Sequence, residues 1–418
     1  MLNNQKIIRD PIHGNIKLDN FFIKLLETPE LQRLYNIKQL GFAHLVFPGA
    51  HHTRLEHSLG VYSIASQISE SLQLNKHEKK IVMCAALLHD IGHGPFSHTL
   101  ESILLEKFGV DHVDLTEKLI LGEYDVFEPR ERNFISELNV NETLVKEGLD
   151  KNEIVRVIRG KNIEKPYLGQ ILNSTIDADQ IDYLVRDAFY TGVAYGLVDI
   201  DRFLQTIRLL ENKIILDRKG VGVIENILMA RGLMYSSIYF HKTVRIAELM
   251  LSKALEEITE LEPFEFFRLT DSEILSSLKN MGDFQHEIMM RLKYRKLFKQ
   301  AFVASKYDLD SDELNCITSL EQVKIKREKE NDIQQKLNIE KGHIIIDIPH
   351  LELYRAEPRI NKTDISVLDD SKTYNLDHFT PMAKAIRSRD IPDWVIMVIT
   401  DEKNRSIVNK KVRKILFD

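Results

Sequence analysis

His89 and Asp90 set an imidazole beside a carboxylate at the end of an apolar run, just before the turn residues Gly92-His93-Gly94-Pro95. Neighbouring helix residues diverge by about 100°, so the two side chains reach one ion only near a helix terminus. On the dipeptide alone, a histidine capping the helix through its macrodipole is the alternative. Upstream, Arg54 and His57 are three residues apart and share a face if a helix begins there. One is an anion donor and the other a candidate metal ligand; a surface arginine and a core histidine is the plainer reading. In residues 175–188, Asp179, Tyr183, Arg186 and Asp187 form one polar stripe, with Ile181, Leu184, Val185 and Ala188 opposite. Charged stripes usually face solvent, but Asp179, Asp182 and Asp187 lie so close in sequence that they favour a nearby cation. Arg231, Tyr235, Tyr239 and Lys242 fall on another helical face. Two cations with two phenols suit a polyphosphate and a ring or sugar. The commoner meaning of that pattern is a core edge with snorkelling cations.

Nine of the fifteen histidines fall between residues 44 and 112, which points to a site. A His/His/Asp/Asp set suits one divalent ion (Mn, Mg, Fe, Ni or Zn) and leaves coordination positions open for water and a phosphate oxygen. Such an ion polarises a phosphoryl group and lowers the pKa of its water. His93, His98 and His112 are spare imidazoles able to pass a proton to a leaving oxygen, and Glu101 follows His98 closely enough to orient it. The same surplus of histidine leaves a second ion open.

These residues need helices to position them. The runs at 57–72 and 78–90 have helical spacing, and Thr28-Pro29 reads as an N-cap with proline at the first helical position, LQRLYNIKQL following. Residues 225–260 read as one long helix, and 212–217 with 221–226 as a β-hairpin turning at Arg218-Lys219-Gly220. Residues 306–340 look like solvated helix or linker. From Gly342 onward HIIIDIP, TDISVLD and DWVIMVIT are strand-like, with PMAKAIRSR a helix between the last two. The expected fold is mainly α, a helical core with a small β-hairpin and a C-terminal α+β subdomain. Its expected parts are a catalytic core at 1–260, a helical extension at 261–340 and the α+β subdomain at 341–418. The 418 residues are 43% hydrophobic and 29% charged, a globular composition that excludes disorder, collagen and coiled coil as the main state. The net charge of −6 does not draw in nucleic acid or acidic membrane. No apolar run reaches the roughly 18 residues of a membrane span, and no secretory leader is expected. Two distant cysteines, Cys84 and Cys316, fit a reduced cytoplasm.

The segments Asp10-Pro-Ile-His-Gly, Thr28-Pro-Glu-Leu-Gln-Arg-Leu, Ile37-Lys-Gln-Leu-Gly, Val46-Phe-Pro-Gly-Ala, Arg54-Leu-Glu-His-Ser-Leu-Gly, His89-Asp-Ile-Gly-His-Gly-Pro-Phe-Ser-His and Asp177-Ala-Asp-Gln-Ile-Asp-Tyr occur in that order. Together they resemble the HD-domain superfamily of metal-dependent phosphohydrolases, in its deoxynucleoside triphosphate triphosphohydrolase branch, over about residues 5–260. The resemblance implies metal ligands His57, His89, Asp90 and Asp179, with His93, His98, Glu101 and His112 around the reacting phosphate. It implies Gln39 and Leu40 against the sugar, Tyr183 and Asp187 on its 3′-hydroxyl side, and Arg54, Arg231 and Tyr239 at phosphate- and nucleotide-contacting positions. The implied reaction is attack on the α-phosphorus of a dNTP, releasing deoxynucleoside and intact triphosphate; the implied fold is helical and the assembly a homo-oligomer, tetramer or dimer. Gln180 stands where the animal enzyme of this branch has a phosphate-facing lysine. Lys6, Ile7, Gln32, Val46 and Phe47 fit the branch's effector site between subunits, but Glu27 and Tyr35 replace its guanine-reading acid and arginine. A guanine nucleotide is therefore not the expected activator, which leaves room for another nucleotide effector at a subunit interface.

Two rival readings stand beside this one. A nucleotidase or phosphodiesterase on the same scaffold shares the ligands but has no need of Gln39, Tyr183 and Asp187 to grip a deoxyribose. A nucleotide sensor or nucleic-acid-binding scaffold has only the basic stretch at 293–299 in its favour, and its ligand set would be idle.

Overall fold

The protein, seen in a computed structural model, is described over residues 5–97, 103, 105, 109–127, 130–135, 138–161, 164–258, 263–349, 363–388 and 393–418. A hairpin, β1 (Lys6–Asp10) with β2 (Gly14–Leu18), precedes two short helices, α1 (Asn20–Leu26) and α2 (Pro29–Arg33). Pro29 occupies the first turn of α2 as expected, but that helix gives way to a 3-10 turn at Leu34–Asn36, short of the full LQRLYNIKQL run. Helix α3 (Arg54–Ser71) begins at a reciprocal capping box between Thr53 and Glu56, which fixes its first turn and puts Arg54 and His57 on it together. Helix α4 (Lys76–Leu88), capped likewise by Asn75 and Glu78, packs on α3 and ends at His89. Helices α5 (His112–Leu121), α6 (Val140–Lys146) and α7 (Ala178–Thr191) follow, α7 also packing on α3. Gly60 permits that approach: a Cβ there would lie 1.9 Å from Asp182 Oδ1 and 2.5 Å from Arg186 Nη2.

The hairpin lies one strand earlier than the sequence reading places it. β3 (Ile207–Leu210) pairs with β4 (Lys213–Asp217) around Glu211 and Asn212, which both have positive φ, 49° and 59°. Left-handed geometry at both central residues suits the twist of a two-residue turn, so register is set there. Residues from Val221 onward, expected as a strand, form helix α8 (Val221–Met234) instead. The expected single helix over 225–260 is broken as well. Tyr235–Tyr239 form a π turn, and α9 (Lys242–Glu256) starts anew with His241 as its N-cap, the ring Nδ1 accepting from Thr243 N. The break turns Lys242 away from the Arg231 face, and its ammonium lies over the Trp394 ring, 5.3 Å from the centroid.

Helices α10 (Asp271–Leu278) and α11 (Asp283–Lys293) lead to β5 (Lys299–Ala304), α12 (Ser311–Leu320) and α13 (Val323–Leu337). The three strands expected after Gly342 are β6 (Ile344–Asp347), β7 (Ser366–Asp369) and β9 (Ile396–Thr400); β8 (Lys372–Asn375), which the sequence reading did not expect, pairs with β7, and α14 (Arg405–Phe417) follows. They join two sheets. One has the order β3-β4-β7-β8; in the other β9 lies between β5 and β6. In that second sheet Ile345, Met397 and Ile399 face one apolar cluster while Ile344, Ile346, Ile396 and Val398 face another. Burial on both faces accounts for the unbroken apolar runs of β6 and β9. Among the described residues, no helix is long and apolar enough to cross a membrane.

Candidate metal and phosphate site

The beginning of α3, the end of α4 and the beginning of α7 meet, and their ends carry the ligand-type side chains. His57 Nε2 lies 3.1 Å from Asp179 Oδ1, His89 Nε2 lies 3.2 Å from Asp90 Oδ1, and His89 Nε2 lies 4.0 Å from the same Asp179 oxygen. Ligand atoms of His57, His89 and Asp90 all fall within 4.8 Å of one another, as one ion requires. His89 Nδ1 donates to Ala86 O at 2.8 Å, which leaves Nε2 as the lone-pair nitrogen; it is buried and has no hydrogen-bond partner. An orphaned imidazole nitrogen facing two carboxylates fits a divalent cation. The group of His57, His89 and Asp90 supplies two nitrogens and one carboxylate, and Asp179, near both imidazoles, would add a second carboxylate; such a set suits Mn, Mg, Fe, Ni or Zn without choosing among them.

The electrostatics keep the carboxylates charged. Burial alone would raise the Asp90 pKa, but His89, His93 and Arg54 hold it well below the usual carboxylate range. Arg54 Nη1 donates to Asp90 Oδ2 at 2.7 Å, and both side chains are nearly inaccessible. Burial works against a charged His57, yet its hydrogen bonds to Asp179 and Asp182 push its pKa up to about 10. Asp182, read from sequence only as one of three like charges favouring a cation, is the most heavily bonded carboxylate of the site. It accepts from His57 Nδ1 (2.8 Å), His13 Nε2 (2.5 Å), Arg186 Nε (2.9 Å) and Arg186 Nη2 (3.1 Å). Arg186 therefore does not share the stripe of Asp179 and Tyr183 as expected. It turns to Asp182 and to Asp10, 2.8 Å away, because a fully buried guanidinium must be paired. Asp10 also accepts from Ile12 N and His13 N, closing the hairpin turn that presents His13.

The turn after His89 is tied down by Thr116 of α5, whose hydroxyl accepts from Gly92 N (3.0 Å) and donates to His89 O (3.1 Å). Gly92 has no room for a side chain, since a Cβ there would lie 2.2 Å from His112 O. His93 Nε2 is 3.3 Å from Asp90 Oδ1, and its ring stacks on His112 at 3.9 Å between centroids. Ser97 Oγ donates to Gly94 O and so accepts from His93 Nδ1, at 2.7 Å. Burial, with Arg54 and His112 adding to it, lowers the His93 pKa well below its ordinary value. His98 and Glu101 lie outside the described residues.

On the nucleotide side, Asp187 accepts from His52 Nε2 at 2.7 Å and from the Tyr239 hydroxyl at 2.6 Å. Tyr239 stands edge to face with Tyr183 (6.1 Å) and Tyr235 (4.7 Å), and burial together with Asp187 raises its pKa well above the ordinary phenol value. Gln39 N donates to His52 O, the Gln39 Oε1 atom is buried without a partner, and Leu40 is half-buried between two apolar clusters. His52, missed in the sequence reading, thus links Gln39 to Asp187. Arg231 is fully buried, its Nη1 donating to Thr175 O and Gln180 Oε1 at 3.1 Å each, so Gln180 meets an arginine where the animal enzyme has a lysine. Of the expected effector positions, Lys6 pairs with Glu27 at 4.0 Å, Gln32 donates to Leu26 O, and Ile7 and Tyr35 are exposed.

The chain is similar to known proteins over most of its length. The profile described as an HD domain matches residues 54–187, and that of an HD associated region matches residues 198–417. An uncharacterized protein of Methanocaldococcus jannaschii is 33% identical over 424 residues, covering 98% of this chain and 84% of that protein. The deoxynucleoside triphosphate triphosphohydrolase SAMHD1 of Danio rerio is 32% identical over 279 residues, covering 60% of this chain; the match spans only 44% of that enzyme's length. The crystal structure of a phosphohydrolase from Bacteroides thetaiotaomicron superposes with a TM-score of 0.71 at 25% identity, covering 96% of this chain and all of that one.

Proposed function

Since this chain belongs to the HD-domain family of phosphohydrolases, we propose that it hydrolyses deoxynucleoside triphosphates to deoxynucleoside and triphosphate. The observation that carries the reading is the convergence of His57, His89, Asp90 and Asp179 beside a Gln39–His52–Asp187–Tyr239 network suited to a sugar and its base. Those four side chains would hold a divalent ion, which when bound supplies Lewis acidity toward a phosphoryl oxygen and toward water.

The chain's own residues bind, orient and move the proton. Asp182 fixes the His57 ring through Nδ1 and so aims Nε2 at the ion. Arg54 neutralises Asp90, and its Nε, buried and without an acceptor, is a donor for a phosphate oxygen. Arg231 adds a buried positive charge held against Gln180, the residue after Asp179. Asp187 takes the 3′-hydroxyl, steadied by His52 and Tyr239, while Gln39 and Leu40 close over the sugar. As water oxygen bonds to the α-phosphorus and the P–O5′ bond breaks, O5′ must gain a proton. His112, stacked on the neutral His93 next to Asp90, would deliver it, with His93 relaying between its ring nitrogens and His98 with Glu101 completing the proton path. Interface contacts between copies, in a tetramer or dimer, complete the proposal, with a nucleotide effector bound there and nucleic acid not a partner. The free thiols Cys84 and Cys316 support a reducing cytoplasm as its setting.

Incubation of the purified chain with each dNTP and Mn or Mg should release deoxynucleoside and inorganic triphosphate in equal amounts, and His89→Ala should abolish both turnover and metal retention. Release of orthophosphate alone would point to a nucleotidase on the same scaffold. No turnover with any metal would defeat the reading.

A further inference from the structure

Asp271, the first residue of α10, is buried, and its two carboxylate oxygens go to two loops far apart in sequence. Oδ2 accepts from Lys38 N at 2.9 Å, and Oδ1 accepts from Phe96 N at 3.0 Å. Its own helix does not need it, because Thr270 and Glu273 already form the capping box. Lys38 immediately precedes Gln39 and Leu40. Phe96 immediately precedes Ser97, the residue that accepts from His93 Nδ1. One carboxylate therefore sets the distance between the sugar loop and the turn carrying His93.

The held geometry is a costly one. Phe96 has φ 47°, a left-handed conformation in a bulky residue. Strain of that kind persists only where surrounding contacts enforce it. The contacts are the Asp271 carboxylate on its amide and a stack of its ring on Phe42, 4.5 Å between centroids at 21°. A second device grips the same turn. Arg33, half-buried on α2, donates from Nη2 to Ile91 O (3.0 Å) and His93 O (2.7 Å), and from Nη1 to Phe267 O (2.9 Å). Residues 267–271, all within the HD associated region, thus reach the metal turn from two directions.

We propose that Asp271, with Arg33, is a positioning residue of the hydrolytic site: it locks the Lys38–Leu40 and Ile91–Ser97 loops in mutual register, and through it the associated region governs turnover. The proposal rests on the hydrolytic reading above, but its geometric part does not. Asp271→Asn keeps one acceptor oxygen and sets an amide against the other N–H; Arg33→Lys keeps the charge but cannot span the carbonyls. In the full chain, metal content, Tm, steady-state kinetics on the dNTPs turned over by the wild type, and amide hydrogen exchange are measured for both variants. Asp271→Asn should keep its metal, speed exchange in peptides covering 36–41 and 90–97 while leaving α14 unchanged, and lower kcat about tenfold with KM moving much less, since alignment in the transition state is what is lost. Arg33→Lys should speed exchange in the 90–97 peptide alone and lower kcat similarly. Unchanged exchange in those peptides, unchanged kcat, or exchange raised throughout the chain together with a fallen Tm would each overturn it. A wild type without dNTP turnover would sink the functional reading, while the exchange pattern would still decide the lock.

Discussion

Asp182 holds His57 by the ring nitrogen opposite the one that faces Asp179, so the orientation of that imidazole depends on it. Its four hydrogen bonds hold the imidazole, His13 and Arg186 in one buried cluster, where charges from burial-averse groups cancel. Replacing it by asparagine keeps the volume and removes the charge that orients His57. Asp182→Asn should weaken metal binding about 10- to 100-fold, read by titration calorimetry on the folded variant; affinity equal to the wild type would show that His57 is oriented by its own helix alone. Ligand types were visible in sequence because histidine and aspartate clustered around His57, His89, Asp90 and Asp179 are few and chemically specific. Asp182 was visible only as one of three like charges, and nothing local said that it faces His57 and not the ion. His52, Arg33 and Asp271 were illegible for a different reason: they act on atoms 58 to 236 residues away or on backbone amides and carbonyls, which carry no residue type.

Helix bodies were readable from apolar spacing, as in α3 and α4, while the start of α3 stayed conditional in the sequence and is set by the Thr53–Glu56 capping box; element identity failed where turn geometry decided it, as at Glu211-Asn212 and at the π turn of Tyr235–Tyr239. At this scale α2 and α6 meet through one carboxyl. Glu30 is buried, and its Oε1 accepts from Val140 N at 3.1 Å. Burial pushes its pKa up to about 7; the Val140 amide and Arg33 oppose this and Asp125 adds to it. The folded chain keeps this proton to about pH 7, whereas an unfolded chain releases it near 4.5. The group therefore favours folding below that lower value, and its contribution, about 3 kcal/mol, is lost as pH rises through 7. Glu30→Gln, neutral throughout and still an acceptor for Val140 N, should flatten the fall of Tm between roughly pH 5 and 8. Parallel Tm curves for the two proteins would refute the assignment.

Across the whole molecule, strands from the last quarter of the chain complete both larger sheets: β7 extends β4, and β9 sits between β5 and β6. Ending the chain after residue 340 strips β5 of its partner and opens Ile317, Leu320, Ile333 and Phe298 to water. Each such side chain contributes about 1.5–3 kcal/mol when buried, so the loss is comparable with typical domain stability. The shortened protein should aggregate or melt without a cooperative transition in calorimetry; a sharp two-state transition would mean that the remainder is self-sufficient.

The central place of β9 also fixes an order of events at the ribosome. β5 and β6 emerge early but have no neighbour to bond until residue 400 has left the exit tunnel. Throughout that interval the nascent chain carries two open strand edges and an uncovered apolar face, the state most exposed to chaperone capture and to pairing with another copy.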